Sequence, residues 1–199
     1  VPTDAPGIVF EPQDAMGLKG TGTYDVSFTD VVVPIENVVG EESGWNNAWN
    51  MLAGPGLDIE KIEVAAMALG IATAALNEAW DYAEERVQFG APISKFQSIR
   101  HSLAEAKTLL HACRTVTYDT AAKLDRGEPA SLETSMAKLF VCDTARDIVL
   151  NCQQILGAYG YIKEFDMERH VRDVLVMPIL GGSSAIQKNN IANMLRLKK

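Results

Sequence analysis

A mainly α chain, an up-down four-helix bundle preceded by the last strands of a β domain, is predicted by three observations on this sequence of 199 residues. After about Ser43, apolar residues recur at three- and four-residue steps, the spacing that gathers them on one face of a helix. The residues before that point instead carry short β-rich runs broken by Pro and Gly. Between the helical stretches the connections are short, which makes successive helices antiparallel neighbours. The change of period divides the chain into residues 1–42, the end of a β domain, and residues 43–199, a helical bundle.

In the first part, residues 24–28 and 31–33 read as strands, set among Pro2, Pro6, Pro12 and Pro34 and a series of glycines. Two or three strands leave edges unpaired and bury little area, so the rest of that domain is expected upstream. The first helix takes Ile59, Ile62, Ala66, Leu69, Thr73, Leu76 and Trp80 as its inner face, and the second takes Ile99, Leu103, Ala106, Leu110, Cys113, Val116 or Thr117, Ala121 and Leu124. A third runs over about 132–156 with Met136, Leu139, Phe140, Ala145, Ile148, Val149, Cys152 and Ile155 inward. Ser131 is its candidate cap and Gly157 and Gly160 close it. A fourth spans roughly 183–197, after the breakers Pro178, Gly181 and Gly182.

Composition excludes several functions. At 47% hydrophobic and 22% charged residues the chain can bury a core, and a net charge of −8 with no basic block disfavours a nucleic-acid or anionic-membrane surface. The longest uncharged apolar run, residues 64–76, has 13 residues, short of the roughly 18 to 20 of a membrane span, so a soluble protein is expected. Cys113, Cys142 and Cys152 are odd in number and widely spaced, which predicts buried thiols in a reducing compartment: a bacterial cytoplasm, or a mitochondrial matrix in a eukaryote. The chain opens Val1-Pro2-Thr3 and is read as a processed product or a piece of something longer. His101, His111 and His170 lack ligand spacing, so no metal site is expected, and no Ser sits in a nucleophile elbow. Gly17-Leu18-Lys19-Gly20-Thr21-Gly22 joins no strand to a helix and reads as a β-turn rather than a dinucleotide loop.

Two features can carry chemistry. Gly181-Gly182-Ser183-Ser184 opens the last helix, where backbone N–H groups, hydroxyls and the positive helix end can receive an anionic or carbonyl group; an ordinary cap is the alternative. Glu60, between Ile59 and Ile62, is a carboxylate that a poorly solvated site would turn into a base near neutrality; a solvated charge beside Lys61 is the alternative.

Several segments together resemble the acyl-CoA dehydrogenases. Met16-Gly17-Leu18-Lys19-Gly20-Thr21-Gly22-Thr23, with Val26-Ser27-Phe28 and Val33-Pro34, looks like the last strands of that family's middle β domain. Arg86-Val87-Gln88-Phe89-Gly90 is similar to its R-x-Q-F-G signature, and Gln154-Ile155-Leu156-Gly157-Ala158-Tyr159-Gly160-Tyr161 to Q-x-x-G-G-x-G-Y. Arg172-Asp173 and Gly182-Ser183-Ser184-Ala185-Ile186-Gln187 resemble its R-D and G-T-S-E-I-Q segments. The resemblance covers essentially the whole chain and implies the C-terminal half of an FAD-dependent enzyme that oxidises the Cα–Cβ bond of acyl thioesters and passes the electrons to an electron-transferring flavoprotein. By this resemblance Arg86, Gln88 and Phe89 meet FAD, with Arg86 on its pyrophosphate and Gln97 on its adenylate part. Gln154, Ile155, Leu156, Gly157 and Ala158 approach the FAD of an adjacent subunit in a homotetramer, a dimer of dimers. Ser183, Ser184 and Ala185 lie against FAD at the last helix.

Most of the family carries its catalytic Glu where this chain has Gly181. The isovaleryl-CoA and long-chain branches place it on an earlier helix in a G-L-D-L-E-R segment, which Gly56-Leu57-Asp58-Ile59-Glu60-Lys61 resembles. Glu60 is thereby the candidate catalytic base, with Asp58, Lys61, Gly181 and Gly182 on the acyl-CoA side. The chain departs from the pattern at Lys61 for Arg, Ala158 for the second Gly and Ala185 for Glu, which bears on substrate choice and cofactor affinity. Alternative readings are a flavin-dependent monooxygenase of the same fold, suggested by Gly20-Thr21-Gly22-Thr23, and a non-catalytic subunit of a heteromer. The 199 residues alone are expected to bind FAD weakly and turn over poorly.

Overall fold

The computed structural model describes residues 1–40, 44, 46, 47, 49, 52 and 55–196. The chain divides into two compact units, residues 1–57 and 58–199. The boundary expected between residues 42 and 43, and the start of helical period at Ser43, lie outside the described residues.

In the first unit, β1 (Ile8–Pro12) pairs antiparallel with β2 (Tyr24–Phe28), Ile8 opposite Phe28 and Pro12 opposite Tyr24. The Phe10 and Tyr24 rings meet edge-on at 6.0 Å, the diagonal contact that a pleated pair allows. Val9, Phe10, Tyr24, Val26 and Phe28 all remain exposed. The glycine-rich link turns as expected, with the Thr21 N–H donating to the Leu18 carbonyl at 2.9 Å. Residues 31–33 are not the strand the sequence suggests. Asp30, at φ 52, turns the chain out of β2, and Pro34, which has no N–H to give a ladder, leads into a 3₁₀ turn at Ile35–Asn37.

From residue 55 on, the described helices are α1 (Pro55–Glu85), α2 (Gln97–Asp125), α3 (Ser131–Leu156), α4 (Met167–Val174) and α5 (Ser184–Met194), with a small hairpin of β3 (Val87–Gln88) and β4 (Ala91–Pro92) between α1 and α2. α3 is central, in contact with α2, α4 and α5. Among the described residues this is the predicted helical bundle with one more helix than its sequence pattern suggested. Among the described residues no helix is long and apolar enough to cross a membrane.

The core face of α1 differs from expectation. Val64, Ala65, Ala68, Leu69, Ala72, Ala75, Leu76, Ala79 and Ala83 are buried, whereas Ile59, Ala66 and Trp80 are exposed. Two apolar stripes run along this helix, and periodicity does not say which one meets the core. Small side chains set how closely helices can approach, and the alanine stripe faces inward. In α3, Met136 and Phe140 likewise point outward, and Ala137, Lys138, Val141 and Cys142 take the interior. The three cysteines are buried free thiols; burial pushes Cys113 up to about 11 and Cys142 and Cys152 to about 12.

Ser131 is not a cap. The cap position of α3 is Ala130, and the Ser131 hydroxyl instead donates to the Asp58 carboxylate on α1. The unanticipated α4 has Asp166 at its cap position with no side-chain cap, and the Glu78 carboxylate of α1 lies 3.7 Å from His170 Nε2 on it. A helix of eight residues without a side-chain cap leaves little local signature in sequence.

Among the described residues Lys138 is the largest fully buried side chain, at 0% exposure, and its ammonium finds no hydrogen-bond partner among them. Burial holds its pKa below the ordinary lysine value. The unfolded chain keeps this proton up to about pH 10.4 while the folded chain gives it up earlier. Between those two values the unfolded state binds more protons, so stability rises with pH. Lys138→Met removes the buried amine at similar length. The expected result is a gain of about 1–3 kcal/mol near neutrality and loss of the alkaline rise, read by denaturant unfolding from pH 7 to 10. A destabilised variant with the native pH slope would contradict this.

Candidate active site

The first turn of α1 is anchored by a buried polar cluster. Asp58 is 4% exposed and Lys61, one turn on, 9%, and their side chains pair at 3.0 Å. The same carboxylate accepts the hydroxyl of Ser131 and that of Thr134, the latter at 3.1 Å. An ion pair this deep is stable only when its remaining lone pairs are satisfied, and α3 supplies the donors. The two residues expected on the acyl-CoA side thus tie α1 to the start of α3.

With Asp58 and Lys61 turned inward, Glu60 faces the other way. Its side chain is exposed, so within this chain it is not the poorly solvated carboxylate considered from sequence. Its location is the informative point. A Cβ built on Gly181 would lie 3.7 Å from Glu60 Oε1 and 3.0 Å from Val64 Cγ2. Gly181 and Gly182 have φ of 63 and 87, the left-handed region glycine adopts at little cost. The two candidate base positions, 121 residues apart in sequence (181 − 60), therefore share one spot.

That turn leads into α5. The Ser183 hydroxyl accepts from the Ile186 N–H at 3.4 Å, an ordinary cap, and the Ser184 hydroxyl donates to Asp143 Oδ1 at 2.8 Å. Ala185 is exposed on the first turn. Gln187 donates its amide to the carbonyls of Gly181 and Gly182. Sequence reasoning assigned it no role; its place one turn past the cap is the signal that could have marked it as inward.

Arg86, Gln88, Phe89 and Ile155 converge on a second feature, a cleft of about 380 Å³ between the end of α1 and the start of α2. The Arg86 guanidinium lies 5.2 Å over the Tyr159 ring, a cation–π contact that sequence reasoning did not find. Tyr159 also meets Phe165 at 5.3 Å and Tyr82 at 6.1 Å. Among the described residues no carboxylate pairs with Arg86. A half-buried guanidinium without a carboxylate fits a phosphate ligand. Phe89 and Gly90, at φ 53 and 78, form the two-residue loop of the β3–β4 hairpin, a turn that requires positive φ at both places. Phe89 is held there at 94% exposure, a strained and solvent-facing placement for an aromatic residue. Gln97 is the exposed first residue of α2. At the end of α3, Gln154, Gly157 and Ala158 are exposed while Ile155 and Leu156 are buried.

Comparison with known proteins gives these features a family. Residues 44–195 match the model of the acyl-CoA dehydrogenase C-terminal domain. The chain is 43% identical over 191 residues to a 3-(aryl)acrylate reductase of Clostridium sporogenes, covering 95% of this chain and 49% of that protein. It is 41% identical to the CarC subunit of the caffeyl-CoA reductase-Etf complex of Acetobacterium woodii, covering 92% of this chain and 47% of the relative. The solved structure of butyryl-CoA dehydrogenase from Megasphaera elsdenii superimposes with a TM-score of 0.90 at 36% identity, over 98% of this chain and 50% of that one. The chain thus spans about half the length of the relatives it matches. With the helical bundle, the glycine turn beside Glu60 and the Arg86 cleft in place, these matches establish that the chain belongs to the acyl-CoA dehydrogenase family.

Proposed function

We propose that the whole protein catalyses FAD-dependent α,β-dehydrogenation of an acyl-CoA thioester to the 2-enoyl-CoA, with Glu60 as the catalytic base, as a homotetramer that exchanges electrons with an electron-transferring flavoprotein. The observation that carries this reading is the 3.7 Å between Glu60 Oε1 and the Cβ position of residue 181. A carboxylate rooted on α1 reaches the space that a side chain at 181 would occupy, and Gly181 leaves that space open.

In this reaction the Glu60 carboxylate takes the proton from Cα while the hydride leaves Cβ, and the charge that develops on the thioester carbonyl is stabilised by hydrogen bonds. FAD, when bound, supplies the acceptor for that hydride. Glu60 is exposed in this chain, and an acyl group seated on it excludes water from the reacting atoms. The Asp58–Lys61 pair fixes the turn of α1 that carries it. Arg86 receives the pyrophosphate, with Gln88 and Phe89 beside it and Gln97 toward the adenylate. Gln154, Gly157 and Ala158, the exposed residues of the 154–158 stretch, face a partner subunit's cofactor with Ile155 and Leu156 buried behind them, and Ser183 to Ala185 bring the positive end of α5. Run backwards, the protonated Glu60 returns its proton to Cα, the direction named for the Clostridium sporogenes and Acetobacterium woodii relatives. Electron exchange with a flavoprotein partner is supported by the Etf complex named for the latter.

The test is anaerobic mixing of the full-length protein with a panel of acyl-CoAs. One acyl class should bleach the flavin absorbance. A protein that holds FAD but is bleached by none would overturn the reading, and oxygen consumption with a flavin reductase would then reveal a monooxygenase. Arg86→Ala should weaken FAD retention by about 10- to 150-fold, the loss of one charge-assisted contact of about 1.5–3 kcal/mol, with Arg86→Lys recovering part. The check is the flavin-to-protein ratio after gel filtration, and native retention by the Ala variant would remove Arg86 from the cofactor site.

A further inference from the structure

Gln187 is 1% exposed and points back from α5 toward the turn that precedes it. Its Nε2 lies 3.1 Å from the carbonyl oxygen of Gly181 and 3.1 Å from that of Gly182. A side-chain amide has two N–H hydrogens, and each carbonyl takes one. The reversed amide would set Oε1 against two carbonyl oxygens, so the orientation follows from the contacts. Oε1 is then left buried without a donor.

The clamp acts where position matters most. Gly181 and Gly182 both have positive φ, and two such glycines in succession have wide conformational freedom unless something outside the turn restrains them. A Cβ on Gly182 would lie 2.7 Å from Gln187 Nε2, so the absence of a side chain at 182 is what admits the amide. The neighbouring Gly181 faces Glu60 Oε1 and Val64. Any shift of the turn toward α1 closes the space next to that carboxylate. Any shift away loosens what lies against it.

We propose that Gln187 is a positioning residue: by binding both carbonyls of the Gly181–Gly182 turn it sets the gap between that turn and Glu60 in which the substrate Cα must sit. The proposal rests on the dehydrogenase reading, and Gln187 itself touches neither substrate nor cofactor in it. Misplacement of about 1 Å in such a gap lowers rate about 10²-fold.

The orphaned Oε1 separates this role from a structural one. An unpaired buried acceptor destabilises a fold, so Gln187→Met removes that cost while it frees the half-buried Gly181 and Gly182 carbonyls, and the two effects offset. In the full-length protein, Gln187→Met should slow flavin reduction by an acyl-CoA about 10- to 100-fold, leave KM within about threefold, and keep the melting temperature. Amide hydrogen exchange in residues 178–186 should rise. Gln187→Glu can donate one hydrogen bond while protonated, so it should recover part of the rate at low pH and lose it as the carboxylate ionises, a step absent from the native and Met profiles. Native-rate reduction in the Met variant, or unchanged exchange in the turn, would overturn the proposal. So would a rate loss matched by a fall in melting temperature and no pH-dependent recovery with Glu. If the native protein reduces its flavin with no acyl-CoA, the dehydrogenase reading fails separately, and the exchange measurement still decides whether the clamp exists.

Discussion

Glu60→Gln is expected to slow flavin reduction by the best acyl-CoA about 10²- to 10⁴-fold, the contribution of a positioned base to a step limited by proton abstraction. Gln keeps the shape and hydrogen-bonding capacity of the side chain and loses only its ability to take a proton. Flavin content should be unchanged, because Glu60 lies near the start of α1 and the Arg86 cleft lies at the opposite end of the same helix. Adding Gly181→Glu to Glu60→Gln should return part of the lost rate, since the new Cβ falls 3.7 Å from the place of the native carboxylate oxygen. Recovery will be incomplete. The left-handed φ of 63 costs a residue with a side chain about 1–2 kcal/mol, and Val64, at 3.0 Å, must yield. Stopped-flow bleaching of the three proteins checks the order native, double variant, Glu60→Gln. Glu60→Gln at native rate would leave Glu60 an ordinary charged residue.

Asp58→Ala is expected to destabilise the fold by about 3–5 kcal/mol, the penalty for removing one partner of a buried pair. Lys61 would keep a charge with 9% exposure and no counter-ion, and the hydroxyls of Ser131 and Thr134 would lose an acceptor. Because the carboxylate joins α1 to α3, the start of α1, and Glu60 with it, should also lose definition. The double variant Asp58→Leu with Lys61→Met should be more stable than Asp58→Ala alone, since it leaves no uncompensated charge. Denaturant unfolding of the set gives the answer. A loss below about 1 kcal/mol for Asp58→Ala would place the pair in the surface class.

The periodic parts of the fold were legible. On α2, the stripe from Leu103 through Ala106, Leu110 and Cys113 is buried as its spacing requires. On α1 the same reasoning placed Leu69 and Leu76 in the core correctly but Ile59, Ala66 and Trp80 wrongly, because alanine carries a weak hydrophobic signal although it allows the closest packing. α4 was invisible because it is only eight residues long and no side chain caps it. The β3–β4 hairpin was hidden because its turn places Phe89, not a second glycine, at positive φ. Of the site, the motif resemblance reached Glu60 and Arg86. The meeting of residues 60 and 181, the Tyr159 ring under Arg86 and the Gln187 clamp depend on distances between segments, which one sequence does not carry.

Proton abstraction by Glu60 can be measured apart from hydride transfer. The full-length protein is incubated in D₂O with an acyl-CoA whose β carbon bears no hydrogen, and exchange of the α hydrogen is followed by NMR. The expected result is steady exchange with the native protein and exchange slowed at least about 100-fold with Glu60→Gln. Exchange at the native rate in Glu60→Gln, with the flavin still bound, would contradict the assignment of the base to α1.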